Sequence, residues 1–578
     1  MSVMPAETAD PESPSPAAAA VQTTDGYRWM TRPWCQRLAG LVFALLCVFP
    51  LFFSLGDHPI HGDSEARYGV VARGMATGET SLLVPTLFDQ PHLTKPPLTY
   101  WLMAGSIRVI GDGELALRLP AAISGTLTLA IVFGLAFRLY GTRRAVVATA
   151  IVAVTPMFVV ISRMGITDSH LGLFSSAALA SGLLAVREAK RRWVVGLWLA
   201  VALALLTKGP AGLLAPGALV LWLLITRQHE ALRRVRPVAG VILAALPLVA
   251  WGVMIAWQHP EAWGIWKFQT LDRAAGTGDH PEPWWFFFPV FAVGLLPATA
   301  LLWSKDKSKL WRQWMNAIQS RSENLLWAIM AILTLLVFTL IAGKLMSYLM
   351  PLTAPLAWWA SSRINASICK KFFYKNYTFD AALWIIACVM VGVLAWQVHA
   401  HDGPISAWAI WPAALFVVLG LTLAIGGRTR LAKDSWKGPA LLWIAGLNLI
   451  GGACVAEDYV FGRHSVPSAV AAVQQATGLE HPQILTVGFG DRSLPYYTNR
   501  PTRWIDPRVL PETWAAMRKD DLVLLADPEW WDAFAADPNW NLSERFEPVD
   551  LELRWGYEAK PIRVYRTTEL YRQSKGQP

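Results

Sequence analysis

Long apolar stretches separated by short basic loops recur along most of this chain, and that pattern constrains the fold more than any other feature. Crossing a hydrocarbon core takes about 20 helical residues. Runs of that character lie near 38–56, 115–137, 145–161, 169–186, 193–206, 211–226, 237–257, 284–303, 326–342, 345–361, 380–399, 406–426 and 439–456. The chain is 54% hydrophobic and 16% charged, against roughly a quarter charged in soluble domains. These features predict a polytopic α-helical membrane protein of about 13 transmembrane helices. Thirty tryptophans agree, since an indole has an apolar body and a polar tip suited to the membrane boundary. A disulfide framework is excluded: there are five cysteines, and Cys47, Cys388 and Cys454 lie inside apolar runs.

The two ends differ from the middle. Residues 1–27 are rich in Pro, Ala and acids with no apolar period, and read as a disordered cytoplasmic tail. No basic n-region and short apolar h-region open the chain, so the run 38–56 behind Arg28, Arg32 and Arg37 reads as an uncleaved anchor. From about 459 onward the long runs stop. Strand-like segments at 484–490, 521–527 and 561–567 alternate with helix-like ones at 466–478 and 511–520. A soluble α/β domain over 459–578 is expected, with a transmembrane catalytic domain over 28–458.

The net charge of +10 would suggest nucleic acid in a soluble protein. Here the basic residues gather on one side of the predicted membrane. Twenty-seven Lys and Arg fall before the first run (Arg28, Arg32 and Arg37) and in the loops near 138–144, 187–192, 227–236, 304–325, 362–379 and 427–438. The short opposite loops hold three: Arg163, Lys208 and Lys344. The positive-inside rule then puts the N-terminus in the cytoplasm, and segments 57–114 and 258–283 and the C-terminal domain outside it. No nucleic-acid partner is implied. The run 96–110 has only fifteen residues with Arg108 inside, so it reads as a helix lying on the surface rather than a span.

The candidate chemistry gathers on that outer face. Tyr68, Val71 and Met75 recur at helical spacing, giving a short interfacial helix capped by Asp63 or Ser64. Asp63 reads equally as a helix cap and as a carboxylate at a cavity, and Glu65 as a first-turn acid or a catalytic one. Lys95 stands before two prolines that fix an extended bend. Asp168 opens a span, where an acid is costly unless functional or capping. Lys208 and Lys344 occupy very short loops between apolar helices, so with Lys95 they make an electropositive cluster suited to a polyanionic ligand. His280, beside Asp279, could bind a divalent ion (Zn or Mg) with Asp63 or Glu65; a solvated loop histidine is the plainer reading. Trp284 and Trp285 read as an interfacial belt. With no GxxxxGK[ST] loop and no GxGxxG after a strand, no nucleotide cofactor is expected. An activated donor would have to arrive through the membrane.

Taken in order, the motifs are Asp63, Glu65, Arg67 and Tyr68, then KPPLTYW at 95–101, RLP at 118–120 and TDSHLGLF at 167–174. LTKG at 206–209, GDHPEPWWFF at 278–287 and GKLMSYLMP at 343–351 follow. Together they resemble the GT-C glycosyltransferases of the protein-mannosyltransferase superfamily, over about residues 38–360. Within it they are most similar to the bacterial enzymes that transfer 4-amino-4-deoxy-L-arabinose to lipid A. The resemblance implies an undecaprenyl-phosphate-linked sugar donor, a lipid A phosphate acceptor, inversion at the anomeric carbon and a bacterial inner-membrane location with a periplasmic active site. Lipopolysaccharide modified in this way would confer polymyxin resistance. It also implies catalytic roles among Asp63, Glu65 and Asp168, and donor-phosphate binding by Lys95, Arg67, Lys208, Lys344 and Tyr348. Two positions depart from the family: Ser64 separates Asp63 from Glu65, which are usually adjacent acids, and Thr94 stands where a Glu commonly precedes the KP motif. Asp63 is favoured as the heir to the catalytic role. A same-fold transferase acting on a protein or another glycan is the alternative, as is a lipid flippase, although the inverted repeats of a transporter are not evident.

Overall fold

The computed structural model describes residues 33–53, 55–57, 59–60, 63–88, 90–269, 282–302 and 310–363. Towards the C-terminus it describes 466–479, 482–487, 494–498, 503–505, 522–526, 528, 531–532, 546–555 and 560–567. The predicted tail, the spans near 380–399, 406–426 and 439–456, the helix at 511–520, and His280 lie outside these residues.

In chain order the helices and strands begin with α1 (Pro33–Phe52), α2 (Asp63–Thr77), the β1–β2 hairpin (Thr86–Leu87, Gln90–Pro91) and α3 (Leu98–Ile110). Then come α4 (Glu114–Tyr140), α5 (Thr142–Ala153), α6 (Pro156–Ser162), α7 (Thr167–Glu188), α8 (Arg191–Lys208), α9 (Leu214–Ile225), α10 (His229–Val235), α11 (Pro237–Gln258) and α12 (Ala262–Lys267). The next group is α13 (Phe287–Gly294), α14 (Ala298–Leu302), α15 (Leu310–Gln319), α16 (Glu323–Leu340) and α17 (Thr353–Arg363). The C-terminal part holds α18 (Val466–Thr477), β3 (Gln483–Val487), α19 (Leu494–Thr498), β4 (Arg503–Ile505), β5 (Leu522–Ala526), β6 (Phe546–Trp555) and β7 (Lys560–Thr567).

Among the described residues five helical runs are long and apolar enough to cross a membrane: Glu114–Tyr140, Thr167–Glu188, Arg191–Ile225, His229–Gln258 and Glu323–Leu340. Counting the bent pair α5–α6 makes six. Hydroxyls inside these helices turn back onto their own backbone, as Thr128 does to Ser124, Ser176 to Gly172 and Thr207 to Leu203. Where water is absent, that is how a polar group is satisfied. Around α7, the most enclosed helix, pack α4, α8 and α9, close enough because α7 presents Gly172, Ser175, Ser176, Ala178 and Gly182. By contrast α11 exposes Val238, Ile242, Leu243, Leu246, Val249 and Val253, an apolar face suited to lipid.

Several predicted spans are broken rather than straight. The run 145–161 bends by 66° where Val154 and Thr155 precede Pro156. The run 284–303 divides into α13 and α14, because Pro297 brings no amide to continue the ladder. The run 345–361 opens as a 3₁₀ turn, Met346–Leu352, holding Pro351, before α17 begins. Between α8 and α9 the chain turns sharply through the 3₁₀ segment Gly209–Leu213. Gly209 sits at φ +57°, and a Cβ on Gly212 would stand 2.8 Å from the backbone nitrogen of Leu205.

The expected outer segment 57–114 contains α2, the hairpin and α3, with α2 and α3 packed together. The 13-residue α3 is too short to cross a membrane, and it buries Tyr100, Met103 and Ile107. One detail differs: α2 begins at Asp63 itself, so Asp63 and Ser64 join Glu65 in its first turn instead of capping it from outside.

The C-terminal strands form a mixed sheet in the order β4-β3-β5-β7-β6. β3 pairs parallel with β4 and β5, while β7 pairs antiparallel with β5 and β6. Val470 and Val473 of α18 pack on Ile484, Val523, Leu525 and Val564 of the sheet. Three strands lie where predicted; β4 and the edge strand β6 were not expected, since β6 interrupts its apolar residues with Glu547, Asp550 and Glu552.

The tight α8–α9 turn makes a test. Gly212→Ala should lower the thermal stability of the detergent-purified protein by about 1–3 kcal/mol, as overpacking does. Gly134→Ala, facing open space, should leave it unchanged or slightly raised. Equal melting temperatures for the two variants would contradict this packing.

Candidate active site

Two buried ion pairs organise the polar groups near the starts of α4 and α7 and the end of α8. In the first, Arg118 of α4 donates from Nε to Glu65 Oε1 (2.9 Å) and from an η nitrogen to Oε2 (3.1 Å). Its remaining donors reach the carbonyls of Leu55 (3.2 Å) and Pro59 (2.7 Å). Glu65 Oε1 also accepts the Gly165 amide at 2.7 Å, and Glu65 is only 2% exposed. One carboxylate therefore joins α2, α4 and the entry to α7. Arg163 adds a second fastening there, donating to the carbonyls of Pro50 and Phe53.

In the second pair, Lys208 Nζ donates to Asp168 Oδ1 at 2.6 Å and lies 4.3 Å over the Tyr348 ring. Asp168 is in the first turn of α7, Lys208 ends α8, and Tyr348 belongs to the buried 3₁₀ turn before α17. Phe338 flanks Tyr348 at 4.8 Å between ring centroids. Such an ammonium is neutralised by a carboxylate and covered by an aromatic face.

A cavity of about 540 Å³ opens beside this pair. Lys208, Tyr348, Thr94 and Lys95 all line it; Leu214, Leu248, Trp251, Trp266, Val337 and Phe338 make its walls largely apolar. Lys95 Nζ donates to Gln269 Oε1 (3.1 Å) and to the Thr94 carbonyl (3.2 Å), both neutral oxygens. Two indoles suspend the loop that carries it: Trp266 donates to the Leu93 carbonyl and Trp251 to that of Leu83. Nearby, His92 Nε2 lies 3.0 Å from the Thr94 hydroxyl. Burial, then the charges of Arg67 and Lys95, push the imidazole pKa from the ordinary 6.5 down to about 4.

The structure thus gathers Lys95, Lys208, Asp168 and Tyr348 around one cavity and places Glu65 apart, in the Arg118 anchor. Lys344, expected in the same electropositive cluster, is not among the residues lining this cavity. It is 3% exposed, and its ammonium donates to the carbonyls of Glu282 (2.7 Å) and Ala342 (3.3 Å). Arg67 is half-buried, its charge acting on His92. Asp63 opens α2. Of the groups suggested for a metal, both oxygens of Glu65 are taken up by Arg118 and Gly165, which does not fit a ligand. Among the described residues no three His, Cys, Asp or Glu are grouped to hold an ion. Sequence reasoning quoted Arg118 within the RLP motif without giving it a role, and passed over Gln269, His92, Trp251 and Trp266. Arg118 carried a signal, being a cation at the head of a long apolar run; the others carried none.

Residues 94–255 match the family described as dolichyl-phosphate-mannose-protein mannosyltransferase. The undecaprenyl phosphate-alpha-4-amino-4-deoxy-L-arabinose arabinosyl transferase of Erwinia tasmaniensis is 30% identical over 472 residues, covering 78% of this chain and 81% of that protein. The protein of the same name from Serratia proteamaculans is 28% identical over 425 residues, 71% and 73% of the two chains. Among solved structures, ArnT from Cupriavidus metallidurans bound to undecaprenyl phosphate superposes with a TM-score of 0.72 at 21% identity, covering 92% of this chain and 98% of that one.

Two predictions come from the geometry. Removing one partner of a buried ion pair leaves the other uncompensated, at about 3–5 kcal/mol. Arg118→Leu and Glu65→Leu should each destabilise the protein by that order in thermal melts, and the double variant by clearly less than their sum. Additive losses would show that the pair is not coupled. The second concerns His92, whose folded pKa is depressed, so below about 6.5 the unfolded chain takes up a proton that the folded one refuses. Stability contributed by the neutral ring is therefore lost as pH falls from 6.5 towards 4, by about 3 kcal/mol at most. His92→Gln should flatten the melting temperature across that window, and an unchanged slope would refute the assignment.

Proposed function

This chain belongs to the undecaprenyl phosphate-alpha-4-amino-4-deoxy-L-arabinose arabinosyl transferases, and from that premise we propose how its cavity moves the sugar. It is a glycosyltransferase that uses a polyprenyl-phosphate sugar. In our reading 4-amino-4-deoxy-L-arabinose passes from undecaprenyl phosphate to a lipid A phosphate at the periplasmic face of the bacterial inner membrane. The observation that carries the reading is an apolar cavity with a lysine on its wall: apolar surface suits an isoprenoid chain, and Lys95 suits its phosphate.

An acceptor phosphate oxygen attacks the anomeric carbon, the C1–O bond to the lipid phosphate breaks, and the configuration inverts. The acceptor is already anionic, so little general-base help is needed. The leaving group changes from a phosphodiester to a monoester and gains one negative charge. Lys95, preorganised by Gln269, stabilises that charge in a poorly hydrated site. Arg67 adds positive potential from α2. Lys208, which also lines the cavity, is held by Asp168 and Tyr348, and the pair fixes the shape and polarity of the site. Asp63 is the candidate to orient the acceptor, pair with the sugar's amino group or balance the developing oxocarbenium charge. Glu65 is assigned to positioning α2, and Lys344 to bracing the turn before Tyr348. A divalent ion near His280 is compatible with the chemistry, and no step here is routed through it.

Thirteen spans, a cytoplasmic N-terminus and a periplasmic C-terminal α/β domain complete the reading, supported by the asymmetry of basic loops. Adding a cationic sugar to lipid A reduces its negative charge, so cationic peptides such as polymyxin would bind it less well.

The test is expression in a Gram-negative host that makes the lipid-linked donor but lacks its own transferase, with lipid A analysed by mass spectrometry. Wild type should yield the aminoarabinose adduct. Lys95→Ala, at matched membrane levels, should reduce it by about 100-fold or more, the scale of losing one electrostatic stabiliser. An adduct at wild-type level in Lys95→Ala would sink the phosphate assignment, and none with wild type would sink the donor–acceptor pair.

A further inference from the structure

The Pro59–Ile60 peptide is held from both sides by residues far apart in sequence. Its carbonyl accepts from Arg118 at 2.7 Å, and its amide donates to the Tyr497 hydroxyl, also at 2.7 Å. Tyr497 belongs to α19, more than 430 residues further along. The same hydroxyl donates to Glu114 Oε1 at 2.9 Å, at the start of α4. Next to it, Tyr496 lays its ring 4.1 Å from the Arg73 guanidinium and presents its carbonyl to Arg73 at 2.8 Å. Its hydroxyl donates to Asp112, which also pairs with Arg73. Gly69 makes room for this ring: a Cβ there would stand 2.9 Å from two Tyr496 ring carbons. Tyr496 is buried, though α19 has only five residues. Burial pushes both phenols above their ordinary pKa, so the hydroxyls keep their protons at neutral pH.

From this geometry we infer that α19 is a latch by which the C-terminal sheet region positions the start of α2 at Asp63, with Tyr497 as its positioning residue. The inference deepens the transferase reading and rests on it for its catalytic consequence. Two residues separate the clamped peptide from α2, whose first turn carries Asp63 and Glu65. Arg118 fixes that stretch from the helical core, through Leu55, Pro59 and Glu65. Tyr497 fixes it from the opposite end of the chain. Both polar groups of one peptide are thereby committed, and the peptide plane cannot rotate without losing both bonds. The C-terminal region thus contributes the geometry of the acidic turn, while none of its described residues lines the cavity.

The experiment uses the full chain in lipid nanodiscs and compares wild type with Tyr497→Phe, which keeps the ring and loses the hydroxyl. Undecaprenyl phosphate binding counts the folded sites, hydrogen exchange reads the peptides covering 55–62, and transfer kinetics are expressed per binding site. We expect unchanged stoichiometry, Kd and donor KM, faster exchange at 55–62, and kcat per site reduced about tenfold by the displaced turn. Wild-type exchange in the variant would overturn the latch, and so would a rate loss that merely follows a loss of binding sites. If wild type transfers nothing, the functional reading falls. The exchange result then decides the latch alone: faster exchange upholds the clamp, and unchanged exchange overturns it.

Discussion

One carboxylate ties the polar half of this molecule together. Glu65 receives both arms of the Arg118 fork and the Gly165 amide in a place almost without water. Such a pair is weak evidence of net stability, because desolvation offsets much of the attraction. Its value lies in geometry. The planar fork permits one arrangement of α2 against α4, and the amide fixes where α7 may begin. Asp168 lies three residues beyond that amide, so the position of the Asp168–Lys208 pair follows from a contact outside the cavity.

Lys95, Lys208 and Lys344 show how one residue type takes on different work. Lys208 is opposed by a carboxylate, Lys344 caps two carbonyls, and Lys95 meets the neutral oxygens of Gln269 and Thr94 at the cavity wall. Counting charges on a face places them in one electropositive cluster. Their partners divide them into a lysine on the cavity wall, a member of a neutral pair, and a structural donor.

Hydropathy and loop charge revealed where most helices would lie, since both patterns are written along the chain at the helical period. They did not reveal the interruptions at Pro156 and Pro297 or the 3₁₀ turn ahead of Tyr348, because apolar composition continues through all three. The cavity lysines could be read from their isolation in apolar surroundings. Arg118 was visible as a motif but not as an anchor, since its partner stands 53 positions away. His92, Gln269 and the latch tyrosines gave no local signal: their roles arise from tertiary neighbours alone.

The tryptophans carry a last consequence. Their abundance suggests rings floating at the lipid boundary, and Trp257 and Trp284 are indeed well exposed. Yet Trp198, Trp222, Trp251, Trp266 and Trp358 turn their N–H groups to the carbonyls of Val235, Ser322, Leu83, Leu93 and Val132. In a region with little water these indoles serve as sutures between distant backbone segments. Phenylalanine would match their bulk but leave each carbonyl without its donor. The exchange of one aromatic for another, harmless on any hydrophobicity scale, is therefore restricted at these five sites. Drift among relatives should stall there while the surrounding leucines and valines interchange freely.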